Sequence, residues 1–184
     1  MHRYILLVVV VFGSAFAQGE GTTIRVASYN VRNYLSMDRI VEGKWRPDYP
    51  KPEKEKNVVR GTILSVCPDI LALQEIGSRM HLEELRRDLS NEGLDYKGSA
   101  WLEAHDSERH VAALWKSDLE VEVLNHANLP IKYMGKIDFV KRGMLELNIS
   151  GEEGTWSLFN LHLKNKYTNF KLDPFSNLRR TLEG

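Results

Sequence analysis

The stretch Cys67-Pro68-Asp69-Ile70-Leu71-Ala72-Leu73-Gln74-Glu75-Ile76 constrains the fold more than any other part of the chain. Its apolar residues run without alternation from Ile70 to Leu73, the pattern of a strand driven through a core. The run then closes on Gln74 and Glu75. A carboxylate at the end of such a strand has two readings. It is a solvated residue where a strand stops, or it is held rigid by the core for a cation. The second reading needs partners from elsewhere in the chain.

Helical patterns flank this strand. Residues 55–66, "EKNVVRGTILSV", place Val59, Ile63 and Val66 at helical spacing, with Pro68 as the stop. Residues 81–93 put Leu82, Leu85 and Leu89 on one stripe, with Gly93 behind them. Upstream, "TIRVASYNV" (23–31) alternates, with Ile24, Val26, Ser28 and Asn30 on one face and Arg25, Ala27, Tyr29 and Val31 on the other. Downstream the pattern changes to strands at 110–117, 119–124, 142–150 and 155–164, the last two joined by the hairpin signal "GEEG". Strands alternating with helices, followed by paired strands, predict a mixed sheet or two sheets with helices outside. Residues 36–56 are polar and contain three prolines, as a linker or a substrate-side loop would.

Length and composition fit one globular domain: 184 residues, 42% hydrophobic and 27% charged. The first 17 residues stand apart. A basic start at Arg3, an apolar run from Tyr4 to Phe12 and the small-residue pattern Ala15-Phe16-Ala17 have the anatomy of a secretory signal peptide. The division expected is a signal peptide over 1–17 and one domain over 18–184. The mature chain would begin at Gln18 and be secreted or periplasmic, with no membrane span after cleavage. An uncleaved anchor is the alternative, but the apolar run is short of the roughly 20 residues of a membrane span. Loss of Arg3 from the 25 basic residues leaves 24 against 25 acidic ones, a net charge of −1. No global basic field attracts nucleic acid, so an anionic substrate must be held by local charges or a metal. The single Cys67 cannot form an internal disulfide and reads as a buried packing thiol.

Three strands end in an unusual polar residue: Asn30, Glu75, and the pair Asn160 and His162 in "LFNLHLK". Period-2 geometry puts Asn160 and His162 on one face, opposite Phe159, Leu161 and Leu163. One carboxylate, two amides and an imidazole could together hold a hard cation and an anionic oxygen. Mg²⁺ takes oxygen ligands and needs only one or two carboxylates. A protonated His offers a charged donor to a phosphoryl oxygen. Taken singly, a strand-end Asn is more often a turn former, and a strand His is more often packed or solvated. Lys164, Lys166 and Lys171 form a basic edge beyond His162, either facing a phosphate or merely solvated.

The order "VASYNVRNY", "PDILALQEI", "ERHVAALWKS", "KRGMLELNI", "FNLHLKNK" resembles the endonuclease/exonuclease/phosphatase superfamily over about residues 24 to 166. That group includes DNase-I-like nucleases, abasic-site endonucleases, sphingomyelinases and inositol-polyphosphate phosphatases. The resemblance implies a mixed α/β fold, a four-layer α/β/β/α sandwich with the site at one rim. It also implies a Mg²⁺ or Mn²⁺ cofactor. Residue by residue, Asn30 becomes a metal-proximal amide, Glu75 the principal metal carboxylate and His162 the histidine that contacts the scissile phosphate. Arg142 matches a basic residue that approaches phosphate, and Glu108 or Arg109 lies where a residue supporting the histidine is placed.

The chain departs from the family's second half, where a G-D-x-N motif and a terminal S-D-H or D-H motif would stand. The expectation is therefore a sandwich incomplete at its C-terminus. The implied activity is secreted, metal-dependent hydrolysis of a phosphate ester, either a nucleic acid or a small phosphodiester, with no stable protein partner. A catalytically inactive sandwich serving as a binding module is the alternative. An unrelated extracellular sandwich with coincidental polar strand ends is a third reading.

Overall fold

The structure is a computed structural model and describes residues 23–133, 135–151 and 154–163. Its first elements are β1 (Val26–Tyr34), β2 (Met37–Val41), β3 (Lys44–Tyr49), α1 (Glu53–Val66), β4 (Ile70–Ile76) and α2 (Arg79–Asn91). Then come β5 (Gly98–Leu102), β6 (His110–Trp115), β7 (Glu120–His126), β8 (Pro130–Tyr133), β9 (Lys136–Phe139), β10 (Met144–Gly151) and β11 (Gly154–Leu161). The residues of the expected signal peptide and the lysines 164, 166 and 171 lie outside the described residues.

The unbroken apolar run of β4 is explained by burial on both faces. One sheet has the order β1-β4-β6-β5, with β1 parallel to β4 and the other pairs antiparallel. On one of its faces Leu71, Leu73 and Ile76 pack with Val59 and Ile63 of α1 and Leu82, Leu85 and Leu89 of α2. On its other face Ile70, Val111 and Ala113 pack against Leu145, Leu147 and Ile149 of a second sheet, ordered β11-β10-β7. The described residues thus build a helix layer and two sheets, three layers of the expected four-layer sandwich. The outer face of the second sheet carries exposed Leu124, Phe159 and Leu161. Phe159, Leu161 and Leu163 are exposed while Asn160 is buried, as the period-2 reading requires.

Asp69 fixes the end of β4 remote from Glu75. Its carboxylate accepts a hydrogen bond from the Arg25 backbone N–H at 2.6 Å and from Lys116 Nζ at 2.7 Å. That anchors β1, β4 and β6 together at one end, so any irregularity must accumulate at the other.

Two expectations need correction. Residues 36–56 are not a structureless loop: β2 and β3 form a hairpin, followed by the first turn of α1. The hairpin turn is Glu42-Gly43, both at positive φ, a two-residue connection whose twist suits paired strands. Polar composition hid the hairpin, which lies outside the core and leaves its apolar pair, Ile40 opposite Trp45, exposed. Cys67 is exposed rather than buried. It caps α1 at φ 49°, donating its N–H to Ile63 O, and this left-handed cap turns the side chain outward. The helices over 55–66 and 81–93 are found at Glu53–Val66 and Arg79–Asn91. The short strands β5, β8 and β9 carried too little alternation to be read.

Candidate active site at the rim of the two sheets

The site begins with a break in the ladder. Between Gln74 and Ile76 the pairing of β4 with β6 slips by one residue, leaving Glu75 without a partner opposite. Between Asn30 and Tyr34 the pairing of β1 with β4 slips as well. Bulges of this kind re-aim side chains at the rims of sheets. Here Leu73 and Ile76 both face the helices, so Gln74 and Glu75 between them escape strict alternation. Glu75 sits at φ +62°, and Arg32 and Asn33 at +50° and +55°, a left-handed region that disfavours residues with a β-carbon. Such strain costs on the order of 1–2 kcal/mol per residue and persists only where surroundings enforce it.

The enforcement is visible. Arg39 Nη2 donates to Asn33 O at 2.8 Å and to Leu35 O at 3.0 Å. Lys51 Nζ, on a side chain almost wholly buried, donates to Arg32 O at 2.9 Å. Arg109 Nε donates to the Asn33 side-chain oxygen at 2.8 Å. Three cations therefore clamp the left-handed turn, and the turn presents its Asn33 backbone N–H to Glu75 Oε2 at 3.0 Å.

The carboxylate of Glu75 also meets His162 Nε2 at 3.2 Å through Oε1, and both side chains are about 20% exposed. Burial alone would raise the pKa of Glu75. Hydrogen bonds from His162 and Asn30, the charge of His162 and the Asn33 N–H outweigh it and hold the carboxyl at about 2. Asn30 uses its side-chain oxygen to accept the Arg32 backbone N–H at 2.9 Å. A carbonyl oxygen has a second lone pair, so a further electron acceptor can still approach.

The structure thus brings Asn30, Glu75 and His162 together. Asn160 and Arg142 are placed differently. Asn160, read from sequence as a second amide of the site, is buried between the sheets. It accepts from Gln74 Nε2 at 2.8 Å and donates to Leu73 O at 3.0 Å and Ala112 O at 2.9 Å. Arg142 is 7% exposed and donates through Nε to Asp106 Oδ2 at 3.0 Å. Asp106 Oδ1 in turn accepts the backbone N–H groups of Glu108 and Arg109. Arg142 therefore braces the loop from which Arg109 reaches Asn33. Glu108 pairs with Arg109 at 2.7 Å. Sequence reading missed Asn33, Arg39 and Lys51. The one available signal was "VRNY" directly after Asn30, with two polar residues where strand alternation should continue.

Among the described residues, no group of three or more His, Cys, Asp or Glu side chains converges on one point. A closed site of the structural-zinc kind is not built from them. One ionised carboxylate with an amide oxygen beside it matches a cation that keeps most of its waters, and Mg²⁺ is such a cation.

The structure is similar to the human Nocturnin catalytic domain with bound sulfate anion. The identity is 19% and the TM-score 0.48, over 86% of this chain and 55% of that one. It is also similar to the AP endonuclease LMAP from Leishmania major, with 16% identity and a TM-score of 0.40, over 85% of this chain and 47% of that one. The chain spans about half the length of these structures. No family model and no curated protein matches it.

Proposed function

We propose that the rim formed by Asn30, Glu75 and His162 is the centre of a Mg²⁺-dependent phosphoric ester hydrolase. Its substrate is a nucleic acid or a small phosphodiester, and the protein acts outside the cytoplasm after removal of residues 1–17. The observation that carries this reading is Glu75 itself. A glutamate held at a left-handed bulge, kept ionised to about pH 2 and turned toward an imidazole is a costly arrangement with no packing purpose. Glu75 and Asn30 would hold the cation. A Mg²⁺ ion held by them would supply positive charge against that developing on phosphoryl oxygens. His162 Nε2, which now faces Glu75, supplies a hydrogen-bond donor to a phosphoryl oxygen. Asn33 keeps the carboxylate oriented through its backbone N–H.

Hydrolysis of bis(p-nitrophenyl) phosphate, with Mg²⁺ and with chelator, tests the reading. The expected result is Mg²⁺-dependent turnover that is lost in both Glu75→Gln and His162→Ala. A rate indifferent to chelation, or equal in the variants, contradicts it. Mg²⁺-dependent binding of a non-hydrolysable phosphodiester without turnover would instead identify a binding module.

A further inference from the structure

The buried centre of the interface between the two sheets is aliphatic, with Ile70, Val111 and Ala113 facing Leu145, Leu147 and Ile149, and Trp115 and Trp156 only partly buried against it. Contacts of that kind are non-directional. They favour burial but do not by themselves set how far one sheet slides along the other. Yet Glu75 and His162 come from opposite sheets, and their separation depends on that offset.

Two buried amides interrupt the aliphatic interface. Gln74 is 7% exposed and Asn160 is 3% exposed. Gln74 Nε2 donates to Asn160 Oδ1 at 2.8 Å and to Ser28 Oγ at 3.1 Å. Asn160 Nδ2 spends both hydrogens on Leu73 O and Ala112 O, which belong to β4 and β6. Asn160 therefore reads two strands of the facing sheet at once. Gln74 directly precedes Glu75, and Asn160 stands two residues before His162.

We propose that Gln74 and Asn160 are positioning residues that fix the offset of the two sheets and thereby the approach of Glu75 to His162. The proposal rests on the functional reading above. It assigns a task to the Gln of the "LALQEI" segment that the metal reading leaves unused. Hydrogen bonds are directional, and a buried pair left half-made is penalised. The pair thus allows one sheet offset where aliphatic packing allows a range. Contact with substrate is not needed for this role.

The test compares wild type with Gln74→Leu/Asn160→Leu. Replacing both amides removes the two halves of the Gln74–Asn160 bond together, and leaves the Leu73 and Ala112 carbonyls and the Ser28 hydroxyl without these donors. The conservative single variant Gln74→Met, which keeps Asn160 and its bonds to Leu73 and Ala112, serves if the double variant does not fold. Two quantities are read at a temperature where each protein is fully folded. One is the ¹⁵N NMR signal of His162 Nε2, which reports its hydrogen bond to Glu75. The other is kcat and KM for bis(p-nitrophenyl) phosphate with Mg²⁺. The expected result is a displaced or averaged Nε2 signal, and a fall in kcat of about 10-fold or more with KM little changed, since small misplacements of reacting groups are costly. An Nε2 signal identical to wild type in a folded variant overturns the proposal. So does a kcat equal to wild type in a fully folded variant. If wild type lacks Mg²⁺-dependent turnover, the functional reading fails by itself, and the His162 signal still decides the positioning role.

Discussion

The Glu75 carboxylate and the His162 imidazole stand 87 positions apart in sequence, come from different sheets, and meet at 3.2 Å. Neither sheet alone contains the site. The bulge that carries Glu75 lies at the end of β4, the clamped turn beside it lies within β1 at Arg32 and Asn33, and His162 arrives directly after β11. The arrangement is a property of the stacked sheets, and the expected effects of substitution follow from it.

His162 lies at the exposed rim and fills no core position. His162→Ala should therefore lower Mg²⁺-dependent hydrolysis by about 10² or more, the scale for removing an acid–base or oxyanion group. Its melting temperature should stay within a few degrees of wild type. Parallel thermal melts and rate measurements check both halves; a large loss of stability with little loss of rate would return His162 to a packing role.

Glu75 offers an inverted glycine test. At most strand positions Gly is less stable than Ala, because its backbone loses more entropy on folding. At φ +62° the order should reverse, since only Gly escapes the clash of a β-carbon in the left-handed region. Glu75→Gly should be more stable than Glu75→Ala by about 1 kcal/mol, measured by denaturant unfolding. Both should be inactive. An Ala variant as stable as the Gly variant would mean that the left-handed bulge is not kept in solution.

Much of the frame was legible. Unbroken apolarity marked β4, helical spacing marked α1 and α2, and alternation placed Asn160 and His162 on one face. Glu75, Asn30 and His162 stood out because strands of a core rarely end on such groups. Chemistry supplied by the main chain could not be read in the same way. The Asn33 N–H that grips Glu75 has no side-chain signature, and the left-handed turn that aims it violates the usual preference of Arg and Asn. The contacts of Asn160 and Arg142 were not legible for a related reason. Residue type told that each would bind something polar, whereas burial decides that the partners are Gln74, Leu73 O and Ala112 O for one and Asp106 for the other.

Asp106 gives a pH-dependent prediction. Burial would raise its pKa, but the N–H groups of Arg109 and Glu108 and the Arg142 guanidinium outweigh this and lower it. A carboxyl lowered in the folded state contributes stability that is fully present above its unfolded pKa of about 3.9. That contribution is lost as pH falls through the lower folded value. Wild type should therefore lose stability below about pH 4, and Asp106→Asn should lose less over that interval while being less stable at pH 7. Removing one partner of a largely buried ion pair costs on the order of 3 kcal/mol. Denaturant titrations at pH 7 and pH 3 measure the difference. Equal acid sensitivity in wild type and Asp106→Asn would contradict the assignment.

The most direct test of the central claim is a Mg²⁺ titration followed by ¹H–¹⁵N NMR, in wild type and in Glu75→Gln. The account predicts saturable shifts concentrated at Asn30, Asn33, Glu75 and His162, with an affinity several-fold weaker in Glu75→Gln. Shifts scattered over the surface, or an affinity unchanged by Glu75→Gln, would contradict the claim that the strained glutamate is there to hold a metal ion.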